Sequence, residues 1–284
     1  MKIRKIFLVG FGTMGNGIAQ VSAMAGYDVV AYDIDEGVLE KGLKTIEWSV
    51  EKLISKGEIE GSKEEILGKI RTTKDLQAVQ ETDLVIEAVI ENLELKQKIF
   101  SDLDRLCHPK VILATNTSAL GITDIASATN HPERVVGTHF FNPVPMMRLV
   151  EVVKGLLTSE ETMEIIREFV LSIKKEPLMV YKDIPGFVVN RINGWIYLEA
   201  MRLLEQGVAS VEDIDKGMRL GVGHAMGPFQ TMDLAGLDAI LNARMALYNS
   251  TREPRLFPPD ILRNMVSAGL LGRKTGRGFY KYEK

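Results

Sequence analysis

The chain has 284 residues, 45% of them hydrophobic and 26% charged, with a net charge of −3. That composition suits one large or two ordinary globular domains and offers no general attraction to nucleic acid or acidic membranes. Cys107 is the only cysteine, which excludes an intrachain disulfide and a cysteine metal motif and suits a reducing compartment.

The chain enters the apolar run Lys5-Ile-Phe-Leu-Val-Gly10 almost at once. No leader peptide is therefore expected, and no apolar run reaches the ~18 residues of a membrane span. The expected location is the cytoplasm, and no metal is expected. Short β-rich runs at 5–10, 28–33, 83–89, 111–115, 134–140, 148–153 and 177–181 alternate with helical patterns near 14–25, 36–56, 92–106, 121–128 and 160–174. Such alternation predicts an α/β fold with a mainly parallel, doubly wound sheet. The link between 134–140 and 148–153 is too short for a crossover, so these two strands are expected to be antiparallel. After Asp183-Ile-Pro-Gly186 only helical periodicity follows, over 186–206, 211–219, 230–249 and 258–268. Pro185 suits the first turn of a helix. The expected domains are therefore 1–183 and an all-α 184–284.

The first turn is Gly10-Phe-Gly12-Thr13-Met14-Gly15, placed between a strand and a helix. In that setting Gly10 permits the tight turn, Gly12 admits a pyrophosphate to the backbone, and Gly15 lets helix and strand pack closely. The helix amides then face the phosphate charge. Asp33 ends the second strand about 20 residues further on, where an acid accepts hydrogen bonds from ribose hydroxyls and repels a 2′-phosphate. No Arg or Lys stands between Asp33 and Lys41, so NAD is expected rather than NADP. Glycines used only for packing, with Asp33 as a turn acid, are the plainer reading.

In the helix at 36–56, Leu39, Leu43, Ile46, Val50 and Leu53 form one apolar stripe. At about 100° per residue, Ser49, Lys52 and Lys56 lie within roughly 60° of one another beside it. Lys52 has no acid among its helical neighbours, and Lys56 has only Glu60. This lysine face could hold a multiply charged ligand, or simply be solvated.

Among the four histidines, His139 stands at the end of an apolar strand, where ligands collect in such sheets. Asn142, Pro143 and Pro145 form a stiff turn, and the returning strand carries Glu151 among apolar residues. Between antiparallel neighbours, Glu151 can orient the His139 ring and stabilise its imidazolium. A core histidine bonded to a backbone carbonyl, with Glu151 on an open strand face, explains the spacing equally well. Thr115-Asn116-Thr117-Ser118 follows another strand and offers groups for a substrate oxygen, or a helix cap. Asn190 lies just past the domain boundary and could close a cleft.

Taken together, these segments resemble the L-3-hydroxyacyl-CoA dehydrogenases, most closely the short bacterial 3-hydroxybutyryl-CoA type. The resemblance spans the whole chain. It rests on Gly10–Gly15, Glu87-Ala-Val-Ile-Glu-Asn92, Thr115–Ser118, His139-Phe-Phe-Asn-Pro-Val-Pro145, Leu149-Val-Glu151, Pro185-Gly-Phe-Val-Val-Asn-Arg191, Met226-Gly-Pro228 and Lys274-Thr-Gly-Arg-Gly-Phe-Tyr280. It implies a Rossmann-like fold, with His139 as the base and Glu151 as its partner. It implies that Ser118 and Asn190 hold the substrate oxygens, with Asn116 lining the same site. Asp33, Glu91, Lys96, Asn142 and Lys274 match cofactor contacts, while Ser49, Lys52 and Lys56 match positions touching CoA. The implied assembly is a homodimer joined through the C-terminal domain. One departure is His224-Ala225, where the family usually has an aromatic residue and a proline; it implies a less fixed turn.

The expected activity is NAD-dependent interconversion of an (S)-3-hydroxyacyl-CoA, such as 3-hydroxybutyryl-CoA, and its 3-oxoacyl-CoA. One alternative is a dehydrogenase of a free β-hydroxy acid or sugar acid, which would not need the lysine face. Another is a non-catalytic NAD-binding structural or regulatory protein, against which the presence of both His139 and Glu151 argues.

Overall fold

The computed structural model describes residues 3–283. They form two compact units that divide between Ile184 and Pro185.

The first unit is built on eight strands: β1 (Lys5–Val9), β2 (Asp28–Tyr32), β3 (Ile70–Thr73), β4 (Leu84–Glu87), β5 (Ile112–Thr115), β6 (Val135–Phe140), β7 (Leu149–Val153) and β8 (Glu176–Val180). Their order in one sheet is β3-β2-β1-β4-β5-β6-β7-β8. Pairing is parallel from β3 through β6. The chain then reverses, so β7 is antiparallel to β6, and β8 is parallel to β7. The helices are α1 (Thr13–Met24), α2 (Glu36–Ser55), α3 (Lys63–Gly68), α4 (Leu93–Leu106), α5 (Ile122–Ala126) and α6 (Glu160–Ser172). A parallel sheet covered on both faces needs apolar strands rather than alternating ones. Accordingly Ile6, Phe7 and Leu8 are successive and all fully buried. The strand order reverses direction at β1 and β4, the point where open α/β sheets leave a crevice at the strands' carboxyl ends.

Two elements were not expected from the sequence. Strand β3 is short, with only partly buried residues and an exposed Arg71, so it lacks an apolar run. Helix α3 has six residues and is fixed by a capping box between Ser62 and Glu65. That Ser-x-x-Glu signal is present in the sequence.

The second unit is helical: α7 (Val189–Glu205), α8 (Val211–Val222), α9 (Pro228–Ala235), α10 (Leu237–Thr251) and α11 (Asp260–Ser267). Leu198, Met201, Phe229, Met232, Leu237 and Leu247 lie in its core. The expected helix at 230–249 is two helices, because Gly236 turns the chain at φ +96°. Pro185 is not in a helical first turn. Gly186 and Phe187 both have positive φ, and α7 starts at Val189.

Hydrogen bonds hold the chain on both sides of Ala225. Gly223 is left-handed, and the amides of Gly223 and His224 bond back to Arg219 and Met218, a helix-ending pattern that glycine favours. Buried Asp215 then accepts from the amides of Phe229 (2.8 Å) and Gln230 (3.0 Å), anchoring the start of α9. Among the described residues, no helix is long and apolar enough to cross a membrane. Among them, no three or more His, Cys, Asp and Glu side chains cluster so as to hold a metal ion.

Candidate active site

The glycine turn joins β1 to α1. Gly10 adopts φ +92°, and a Cβ there would lie 2.9 Å from the Ala88 carbonyl oxygen. A Cβ on Gly15 would lie 2.0 Å from the Gly10 oxygen. Both positions therefore demand glycine for internal packing. Gly12 differs, since a Cβ there would meet nothing within 4 Å. No side chain caps α1, and its first turn, containing Thr13 and Met14, carries no acid. The amides at this open helix start suit phosphate oxygens, so these residues fit a dinucleotide. Asp33 Oδ2 accepts from the Phe11 amide at 2.9 Å and Oδ1 from the Asp35 amide at 3.1 Å. The acid thereby ties the second strand to the glycine turn.

His139 lies near the end of β6, directly opposite Glu151 on β7. Residues opposed in this way project to the same face of the sheet. His139 Nδ1 stands 2.6 Å from Glu151 Oε2, with His139 5% and Glu151 0% exposed. An ionised carboxylate can only accept, so Nδ1 carries the proton and Nε2 of a neutral ring is the basic nitrogen. Phe141 packs against the imidazole with ring centroids 4.5 Å apart. Asn116 Oδ1 accepts from the Phe140 amide at 2.9 Å, fixing the strand immediately after His139.

Ser118 is held by Glu91. Glu91 Oε1 accepts from Thr117 Oγ1 (2.6 Å) and the amides of Ser118 (2.9 Å) and Ala119 (3.0 Å), with Ser118 Oγ at 3.3 Å. Behind it, Lys96 is 1% exposed. Its ammonium lies 2.6 Å from Glu87 Oε1 and 3.6 Å from Glu91 Oε2. Buried Glu87 also accepts from Thr115 Oγ1 (2.7 Å) and the Val89 amide (2.7 Å). Burial pushes the Glu91 carboxyl up, but Lys96, the Thr117 hydroxyl and the two amides outweigh it and hold the carboxyl below its ordinary value.

Beside α1 lies a cleft of about 380 Å³. Thr13, Ser49, Lys52, Lys56 and Asn142 all line it, so expected cofactor and CoA positions share one surface. Lys56 is not free of acids, as its ammonium lies 3.8 Å from exposed Glu58. Lys52 lies over the ring of Trp48, 4.3 Å from its centroid. Asn190 and Lys274 belong to the helical unit. There Asn190 lies in the first turn of α7, its carbonyl accepting from Arg244 (3.2 Å), and Lys274 pairs with Asp238.

The sequence reading did not single out Trp48 or Lys175. Lys175 is buried and donates to the carbonyls of Val144 (2.6 Å) and Met147 (2.7 Å). It follows another lysine near a helix end, which looks like an ordinary solvated position. Glu87 did carry a signal, as an acid closing the apolar run Leu84-Val-Ile.

Family models match the chain over both units. Residues 5–184 match the 3-hydroxyacyl-CoA dehydrogenase NAD binding domain, and residues 186–282 match the C-terminal domain of the same family. A 3-hydroxybutyryl-CoA dehydrogenase of Clostridioides difficile is 44% identical over 99% of this chain and 100% of its own length. The mitochondrial hydroxyacyl-coenzyme A dehydrogenase of Rattus norvegicus is also 44% identical, over 99% of this chain and 92% of its own. Among solved structures, the (S)-3-hydroxybutyryl-CoA dehydrogenase of Ralstonia eutropha has a TM-score of 0.95 at 43% identity, covering 100% of both chains.

Proposed function

The chain belongs to the 3-hydroxyacyl-CoA dehydrogenase family, and from that premise we propose that it interconverts (S)-3-hydroxybutyryl-CoA and acetoacetyl-CoA with NAD(H). The observation that carries this reading is the buried 2.6 Å contact between His139 and Glu151 at the carboxyl end of the sheet.

In the oxidation direction, neutral His139 accepts the proton of the 3-hydroxyl at Nε2. Glu151 offsets the imidazolium charge that develops, which a buried ring without a carboxylate would bear at high cost. In the reverse direction His139 returns the proton to the forming alkoxide. Ser118, held by the Glu91 turn, steadies that oxygen. The bound dinucleotide supplies the hydride chemistry. The turn at Gly10–Gly15 and the open start of α1 hold its pyrophosphate, with Glu91 and Asn142 as further contacts. Asp33 is assigned the preference for NAD, since an acid at the end of the second strand disfavours a 2′-phosphate.

Ser49, Lys52 and Lys56 hold the CoA portion. Their cleft lies beside α1 and the turn that follows His139, which supports a thioester running from this cleft toward His139. The helical unit exposes the apolar side chains Ile192, Val208, Leu220, Val222 and Leu234, which burial against a second copy would remove from water. We assign the homodimer contact to this unit.

The test is NADH oxidation with acetoacetyl-CoA, free acetoacetate and a longer 3-oxoacyl-CoA, each repeated with NADPH. The expected order is acetoacetyl-CoA first, with NADH preferred over NADPH. Equal turnover of free acetoacetate would refute the CoA assignment.

A further inference from the structure

Trp48 stands on α2 one residue before Ser49 and is 59% exposed. A single exposed apolar side chain is ordinary by itself; what stands around this one is not. Neither helix stability nor the core accounts for it. The buried stripe of α2 is Leu39, Ile46, Val50 and Leu53, and Trp48 is not part of it. A lysine in the last turn of a helix suits the helix dipole, which explains Lys52 but not an open indole beside it.

The surroundings of Trp48 indicate a ligand. The indole lines the 380 Å³ cleft together with Ser49, Lys52 and Lys56. Lys52 lies over one face of the ring, 4.3 Å from its centroid, so the cleft offers an ammonium together with the rest of an exposed indole. Aromatic faces stack on nucleobases whatever their identity, while neighbouring lysines take the attached phosphates. The ligand that needs both at once is a purine nucleotide carrying more than one phosphate.

We infer that Trp48 is a specificity-determining residue that stacks on the adenine of CoA, with Lys52 and Lys56 beside it on the nucleotide phosphates. This rests on the CoA-thioester reading of the site and names the part of the substrate that the cleft recognises. Trp48 acts on binding alone, because it touches the nucleotide and not the reacting carbon.

The experiment compares Trp48→Ala, Trp48→Phe and the double variant Lys52→Ala/Lys56→Ala with the parent enzyme. Each is assayed with acetoacetyl-CoA and with acetoacetyl-N-acetylcysteamine, a thioester lacking the nucleotide. Trp48→Ala is expected to raise KM for acetoacetyl-CoA by about 5- to 150-fold, the effect of losing one base–aromatic stack, with kcat unchanged. It should leave the nucleotide-free thioester unaffected, and Trp48→Phe should recover part of the loss. Adenosine 3′,5′-bisphosphate should quench tryptophan emission in the parent but not in Trp48→Phe. If Trp48→Ala leaves KM unchanged while the lysine double variant raises it, stacking is overturned and the CoA reading stands. If the parent uses both thioesters with equal kcat/KM, the CoA reading fails and the inference falls with it.

Discussion

At the scale of single residues, the site depends on where buried charge finds a partner. Glu151 is completely buried on β7 and Glu87 on β4. Each is an acid in an otherwise apolar strand, and each meets a basic side chain at 2.6 Å, His139 and Lys96 respectively. An isolated carboxylate in such a place would be heavily penalised, so the sequence pattern alone implies that partners exist. Glu151 was legible because its partner lies just across a short turn. Lys96 was not, because its partner Glu87 lies nine residues back across a strand–helix connection, and α4 presents Lys96 inward.

The Lys96 network has a consequence in acid. Burial raises the Glu91 carboxyl, while Lys96, Thr117 and two amides together hold it below its ordinary value. A depressed carboxyl contributes stability above its unfolded value of about 4.3 and loses it as pH falls through the lower folded value. Lys96→Met removes the foremost of those lowering influences, so Glu91 takes up its proton at higher pH and releases the Ser118 turn. The expected result is an acid limb of the kcat profile displaced to higher pH, with activity recovered in the neutral range and Lys96→Arg close to the parent. A uniform loss at every pH would mean that Lys96 serves packing alone.

At the scale of elements, the turn between β6 and β7 is held from two sides. A Cβ on Gly17 of α1 would lie 2.8 Å from Val144 Cβ, so helix and turn are in close contact. From the other side, Lys175 feeds the carbonyls of Val144 and Met147. Two prolines reduce the turn's own donors, and a lysine supplies the missing ones. Lys175→Met is expected to leave those carbonyls unpaired and loosen Asn142 and the cleft wall. KM for both NADH and the thioester should rise several-fold, with faster amide exchange confined to 142–147. Unchanged exchange there would contradict this role.

The helical elements show why boundaries were harder to read than patterns. On both sides of Gly236 the apolar period packs against the same core, so α9 and α10 look like one helix. Only the backbone at Gly236 separates them. Likewise α3 and β3 are too short to develop a period, although the Ser62–Glu65 capping box marked where the helix starts. The antiparallel turn-back of β7 was legible from connection length alone.

At the scale of the whole molecule, the sheet order explains why the functional segments are so far apart in sequence. The parallel order places the carboxyl ends of β1, β4, β5 and β6 along one edge, and these ends carry the glycine turn, Glu87, Thr115–Ser118 and His139. The reversal at β7 then returns Glu151 to the same face as His139. The doubly wound fold was legible because alternating runs force crossovers. The arrangement of the polar network was not, since it depends on contacts between strands that no local pattern records.

The central claim is that His139, partnered by Glu151, moves the proton of the 3-hydroxyl. The most direct test is steady-state turnover of acetoacetyl-CoA by His139→Gln, with NADH affinity measured on the same preparation. Loss of general acid–base catalysis predicts kcat lower by about 10²- to 10⁴-fold, with the NADH Kd unchanged. Turnover equal to the parent enzyme would contradict it.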